Sequence, residues 1–221
     1  MDGWGRFWFR LLAFSALVPA LVLHEVAHGL AALWCGDPTA KERGRLSLNP
    51  LRHVDPFMSV VLPALLALSG SRVLFGGAKP VPIDLERCRN PIRAYWIVAA
   101  AGPLCNFLQA LAGTGALQLI DRLWPDELFV DAVSLVCIWL YLYVTTNVAL
   151  MVFNLLPIPP LDGSRIVTAA LPGRLRAAYA GLERWGMLIV FAFLYFGQTN
   201  RLLGRAIEAV MCLLGFDGVF D

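Results

Sequence analysis

Three apolar stretches, Phe7–Trp34, Ile92–Ile120 and Leu128–Leu156, each exceed the roughly 20 residues that a helix needs to cross a bilayer. In hydrocarbon every backbone N–H and C=O must be satisfied inside the protein, so stretches like these fold as spanning helices. The chain as a whole points the same way. Of its 221 residues 58% are hydrophobic and 15% charged, more apolar surface than a soluble globule of this size can bury. A net charge of +2 leaves no field to steer a polyanion, which excludes nucleic acid as a partner and leaves the lipid bilayer as one. The five cysteines form no C-x-x-C pair, so neither a disulfide framework nor a cysteine-built metal site is expected.

Three further apolar stretches are shorter: Phe57–Phe75, Trp185–Gly197 and Leu202–Phe216. The first has only twelve unbroken apolar residues, Phe57–Leu68, with Pro63 among them, and reads as a re-entrant element. If it does not cross, the basic residues other than Arg201 and Arg205 divide thirteen against three between the two sides, the asymmetry expected of cytoplasmic loops. Leu202–Phe216 carries Arg205 and Glu208 and reads as a segment lying along the interface. The helical pattern of the first stretch runs on into His24 and Glu25, which argues against a cleaved signal peptide. The expected fold is an all-α polytopic membrane protein. It forms one domain over residues 1–221, with a core at about 7–163 and C-terminal helices at about 182–216.

The first helix contains His24-Glu25-Val26-Ala27-His28. Residues four apart share one helix face, so two imidazoles can reach one Zn²⁺ while the glutamate between them serves as general base. Ionisable groups inside a membrane are costly, which weighs against two histidines that merely pack there. A catalytic zinc site needs a third protein ligand. The best candidate is Asp162, at the end of Asn154-Leu155-Leu156-Pro157-Ile158-Pro159-Pro160-Leu161-Asp162-Gly163. The prolines there prevent a regular helix, and irregular backbone at membrane depth lines a cavity or is buried in protein. For Asp162 to meet the histidines, an even number of crossings must separate the ends of the first and fourth stretches, in agreement with the charge count.

These motifs, together with Gly36-Asp37-Pro38-Thr39-Ala40, Leu48-Asn49-Pro50, His53-Val54-Asp55-Pro56, Ala78-Lys79-Pro80-Val81-Pro82 and Ala101-Gly102-Pro103-Leu104-Cys105-Asn106, give the chain its family likeness. It resembles the site-2 proteases, intramembrane zinc metalloproteases of family M50, in their compact bacterial form without a PDZ domain. The resemblance implies that His24, His28 and Asp162 bind zinc and that Glu25 activates water. It further implies that Asn106 steadies the oxyanion and that Asn154 and Pro157 hold an extended substrate strand. Segments around Lys41–Asn49 and Phe75–Pro82 correspond to membrane-associated β-elements. His53 matches a family position without an assigned role and reads as structural.

On this reading the protein hydrolyses a peptide bond within or near a transmembrane helix of another membrane protein, in regulated intramembrane proteolysis or clearance of membrane peptides. It lies in a bacterial cytoplasmic membrane, its site open to the cytoplasm. Two other classes also place histidines at membrane depth: a metal transporter and an inactive scaffold. Transporters commonly show paired broken helices, whereas this chain has a single H-E-x-x-H and a single proline-broken segment. The intact Glu25 weighs against the scaffold. A serine protease built on Ser164 lacks a histidine placed to serve it.

Overall fold

A computed structural model describes residues 3–55, 79–124, 131–195 and 197–216. The re-entrant reading of Phe57–Phe75 and the start of the Phe75–Pro82 segment lie outside these residues. Eight α-helices are described: α1 (Gly3–Cys35), α2 (Thr39–Glu42), α3 (Pro91–Leu123), α4 (Asp131–Asn154), α5 (Asp162–Ala170), α6 (Gly173–Ala180), α7 (Gly186–Tyr195) and α8 (Gly197–Leu213). Three are long and apolar enough to cross a membrane: α1, α3, and α4 from Val133. They coincide with the three long stretches of the sequence, and the protein is an all-α membrane protein.

Local sequence sets the helix ends. Asn90 precedes Pro91, and its side chain accepts from Arg93 N at 3.1 Å, a capped start to α3. Helix α1 stops where Gly36 takes φ 112°, a left-handed conformation that glycine adopts without a Cβ penalty. Depth can be read from tryptophan, which gathers at membrane–water interfaces. Exposed Trp8 and Trp34 stand 26 residues apart on α1, about 39 Å at 1.5 Å per residue. Trp96 and Trp124 bracket α3 at about 42 Å. Both spans match a bilayer with its headgroups, roughly 40–45 Å.

Helix α3 sits at the centre, packed on α1, α4 and α5. Small residues make the contacts: Ala16 and Ala20 of α1 and Ala94, Ala99 and Ala110 of α3 are all buried. Large apolar side chains such as Phe7, Phe14, Leu104, Leu108 and Leu119 face outward. Buried among the helices are Asn106, Gln109, Thr114 and Asn147 instead. This inverted arrangement explains how so apolar a chain can have so modest a core of large side chains.

Two expectations change. Lys41–Asn49 forms no strand: its first residues belong to α2, whose opening is set by Thr39 N donating to Asp37 Oδ1 at 2.9 Å. Among the described residues Lys79–Pro82 is extended but joins no ladder, since Pro80 and Pro82 have no N–H to donate. Helix α8, which is not among the helices long and apolar enough to cross, packs one face on the spanning helices. Met211 is fully buried with Ala110, Val144 and Val148, and Phe216 meets Tyr141 edge-on at 5.8 Å.

Candidate metal centre

His28 and His24 lie six and ten residues from the Trp34 belt, about 9 and 15 Å beneath it. Both are nearly covered, at 5% and 6% exposure. One turn apart on α1, their rings meet edge-on with centroids 4.6 Å apart. Asp162 comes from beyond α4, as the first residue of α5. The prolines before it prevent α4 from continuing, and Gly163 lets the new helix approach closely. A Cβ at Gly163 would stand 2.2 Å from the Leu155 carbonyl oxygen.

Three atoms converge. His24 Nε2 and His28 Nε2 are 3.1 Å apart, and Asp162 Oδ2 is 3.3 Å from the first and 3.2 Å from the second. The opposite ring nitrogens are already engaged. His24 Nδ1 donates to Asn106 Oδ1 at 2.5 Å, and His28 Nδ1 donates to the Val98 carbonyl at 2.6 Å. With protons on both Nδ1 atoms, both Nε2 atoms carry bare lone pairs. Asp162 Oδ2 is buried without a hydrogen-bond donor, despite its short distances to these nitrogens. Three lone pairs pointing at one another repel unless a cation lies between them. A tetrahedral zinc with ligand distances of about 2.0–2.1 Å sets its ligand atoms roughly 3.3 Å apart, so the triangle fits zinc and leaves a fourth vertex open. Among the described residues this is the one cluster of three or more His, Cys, Asp or Glu side chains able to hold a metal.

The neighbours of the triangle come from α3 and the extended segment. A Cβ at Gly102 would stand 2.4 Å from His28 Nε2 and 2.5 Å from His24 Cε1, so the imidazoles occupy the space this glycine leaves. Glu25 is partly exposed, and its Oε2 accepts from Val81 N at 2.9 Å. Because prolines flank Val81, its amide is the single donor of that three-residue stretch. Lys79 N is engaged by the His53 carbonyl. Arg45 steadies the stretch by donating to the Lys79 carbonyl at 2.6 Å.

The remaining expected residues are spread around this centre. Asn106 is fully buried, its oxygen turned to His24 and its nitrogen to the Ala20 carbonyl at 3.4 Å and Asn147 Oδ1 at 2.8 Å. Both amide hydrogens are thus engaged inside the protein, not free for an oxyanion. Asn154 donates from Nδ2 to the Leu150 carbonyl at 3.0 Å. Pro157 is exposed, and its carbonyl accepts from Tyr179 Oη at 2.7 Å. His53 stands apart, buried and donating from Nε2 to the Ser47 carbonyl at 2.7 Å, which fits the structural reading. Ser164 donates to the Leu161 carbonyl at 2.7 Å, a local bond within the first turn of α5. A separate, mostly apolar cavity of about 420 Å³ lies between Phe9, Leu117, Ile120, Asp121, Tyr141 and Phe216, away from the triangle.

The geometry suits a metal ion, and comparison with known proteins decides the family. The chain is 37% identical over 182 residues, 81% of its own length and 77% of the relative's, to the Bacillus subtilis (strain 168) protein named "Putative zinc metalloprotease YwhC". The chain belongs to peptidase family M50. The family model matches residues 127–197, from the approach to α4 through the Asp162 region. Rip2 of Mycolicibacterium smegmatis, named in the same terms, is 32% identical over 95% of this chain and 75% of the relative. Rip2 of Mycobacterium tuberculosis (strain H37Rv) is 27% identical over the same shares. No solved structure gives a significant match. M50 peptidases depend on zinc, and zinc is the cofactor of this metalloprotease.

Three residues with a stake in the site were not singled out by the sequence: Gly102, Val81 and Asn147. Gly102 and Val81 lie within motifs of the family likeness, but their contacts cross between elements. Asn147 carried a signal of its own, a polar amide in the middle of an apolar helix.

Proposed function

We propose that this M50 metalloprotease is an intramembrane endopeptidase that hydrolyses a peptide bond within or beside a transmembrane helix of another membrane protein. The observation that carries the reading is the lone-pair triangle of His24, His28 and Asp162, formed between apolar spanning helices and about 9–15 Å beneath a tryptophan belt. A soluble peptide has no reason to be cut at that depth. The charge asymmetry of the loops supports a site open to the cytoplasm, and the bacterial relatives support a bacterial cytoplasmic membrane as its place.

His24, His28 and Asp162 would hold the zinc. Zinc in such a site polarises a carbonyl and makes water acidic near neutral pH. Glu25, one residue from a ligand and partly exposed, takes the proton of the attacking water and returns it to the leaving amine. Val81 N–H steadies the same carboxylate from the side of the extended segment. On this reading Asn154 and Pro157, at the start of the proline break, receive substrate as an extended strand. A substrate helix hides its carbonyls in i→i−4 hydrogen bonds, so it must unwind before it is cut.

Glu25→Gln tests the proposal, because it removes the base and no ligand. Cleavage of a fluorescent membrane-helix substrate should fall by about 10²–10⁴-fold, the usual share of general acid–base catalysis, with zinc content unchanged. Normal cleavage by this variant would overturn the mechanism. Fragments of membrane proteins that appear in wild-type cells and are missing from Glu25→Gln cells would identify the substrates.

A further inference from the structure

Beneath the metal centre the buried amides form a directed chain. Asn147 Nδ2 donates to the Tyr143 carbonyl at 2.9 Å, and Asn147 Oδ1 accepts from Asn106 Nδ2 at 2.8 Å. Asn106 Oδ1 then faces His24 Nδ1 at 2.5 Å. Both asparagines are fully buried, in the middle of spanning helices where no water competes.

The direction of this chain is fixed at its far end. A backbone carbonyl only accepts, so Asn147 must turn its NH₂ to Tyr143 and its oxygen to Asn106. That oxygen, at 2.8 Å, is the nearer acceptor of the Asn106 NH₂, with the Ala20 carbonyl a longer second one at 3.4 Å, and the Asn106 oxygen is left facing the imidazole. An oxygen that only accepts requires the histidine proton to sit on Nδ1, which bares Nε2 for a metal. Were Asn106 to flip, its NH₂ would meet Nδ1 and favour the tautomer with a proton on Nε2, aimed at the ion's place. The two neutral tautomers are close in intrinsic energy, and the partner of the second nitrogen decides between them.

We propose that Asn147, which touches neither metal nor substrate, is a positioning residue that fixes the tautomer of His24 by setting the orientation of the Asn106 amide. The proposal deepens the function given above and rests on the reading of His24, His28 and Asp162 as the zinc ligands. It also gives Asn106 the part of an acceptor, distinct from the oxyanion donor that the family resemblance implies.

The test is zinc affinity of the full-length protein in detergent, measured by chelator competition, with the visible absorption of the cobalt-loaded protein as a second readout. Asn147→Leu removes the orienting oxygen and should weaken zinc by about 10–100-fold, the range for losing an outer partner of a ligand. Asn106→Asp presents only acceptors, so it cannot flip to the wrong face. Added to Asn147→Leu, it should restore zinc binding and the wild-type cobalt spectrum. Packing damage by leucine would not be repaired in this way. Unchanged affinity in Asn147→Leu, or loss without rescue by Asn106→Asp, overturns the proposal. If Asn147→Leu does not fold, the comparison moves to Asn106 alone. Asn106→Asp must then bind zinc at least about tenfold more tightly than Asn106→Leu, and equal affinities overturn the proposal. A wild-type protein that takes up no zinc, or an Asp162→Ala variant that keeps it, defeats the metal-site reading itself; wild-type zinc binding that depends on Asp162 isolates any failure to the Asn147 step.

Discussion

Asp37 and Asp162 are both buried carboxylates at the start of short helices, yet their surroundings are opposite. Asp37, 0% exposed, accepts from Thr39 N at 2.9 Å, from the Thr39 hydroxyl and from Asp84 N at 2.7 Å. Every nearby group gives it a proton to share. Asp162, 7% exposed, turns an oxygen toward two imidazole nitrogens that carry lone pairs. The first carboxylate ties Pro38–Thr39 to the segment at Asp84 and is complete. The second is incomplete without a cation. Burial and charge alone therefore do not mark a site; convergent acceptors without donors do.

The comparison can be broken most sharply at Asp162. Replacement by alanine removes one of three ligand atoms and should strip zinc from the protein. Metal analysis of purified samples checks this, and full occupancy would take Asp162 out of the ligand set. His28→Ala should do the same.

Gly102→Ala should come next. Alanine is the better helix former by up to about 1 kcal/mol, so α3 itself gains. The added methyl, however, would stand 2.4 Å from His28 Nε2, and the imidazoles must move. We expect zinc affinity to fall by about tenfold or more, as in other cases of disturbed ligand orientation, while the helical signal in circular dichroism stays unchanged. An undisturbed affinity would mean that the rings have room the structure does not show.

The smallest effect is expected at Asp37. Burial pushes its carboxyl upward, but the Thr39 hydroxyl, the Asp84 and Thr39 amides and the charge of Arg87 together hold it below the usual value. A carboxylate depressed in the fold contributes stability above its unfolded pKa of about 3.9 and loses it as pH falls through the folded value. Asp37→Asn should cost about 1–3 kcal/mol at pH 7, with zinc content unaffected. Its deficit against wild type in thermal melts should shrink below about pH 4. A deficit independent of pH would show that the loop needs the shape of the side chain and not its charge.

How much of this was legible in the sequence depends on the range of the interaction. The spacing of His24 and His28 is a property of one helix turn, and the proline break before Asp162 is local too. The three long spans were visible as uninterrupted apolar runs. Helix α2 was misread because its start depends on Asp37, whose role is fixed by Asp84, far along the chain. Gly102 looked like part of a motif, but what it makes room for lies on another helix. Val81 acts through a backbone amide, which no residue type announces. Helix α8 reads as interfacial from Arg205 and Glu208, whereas its opposite face, with Met211, packs at mid-span.

The donors of the triangle belong to the first helix and to a turn entered only after α3 and α4 have been made. No short piece of this polypeptide holds them together. An ion seated there acts as a clasp between distant parts of the chain and binds the folded protein alone. Its free concentration then sets how firmly the helices stay assembled, by about 2.7 kcal/mol at a hundredfold excess over its dissociation constant. Metal scarcity would thus loosen the bundle as well as silence it.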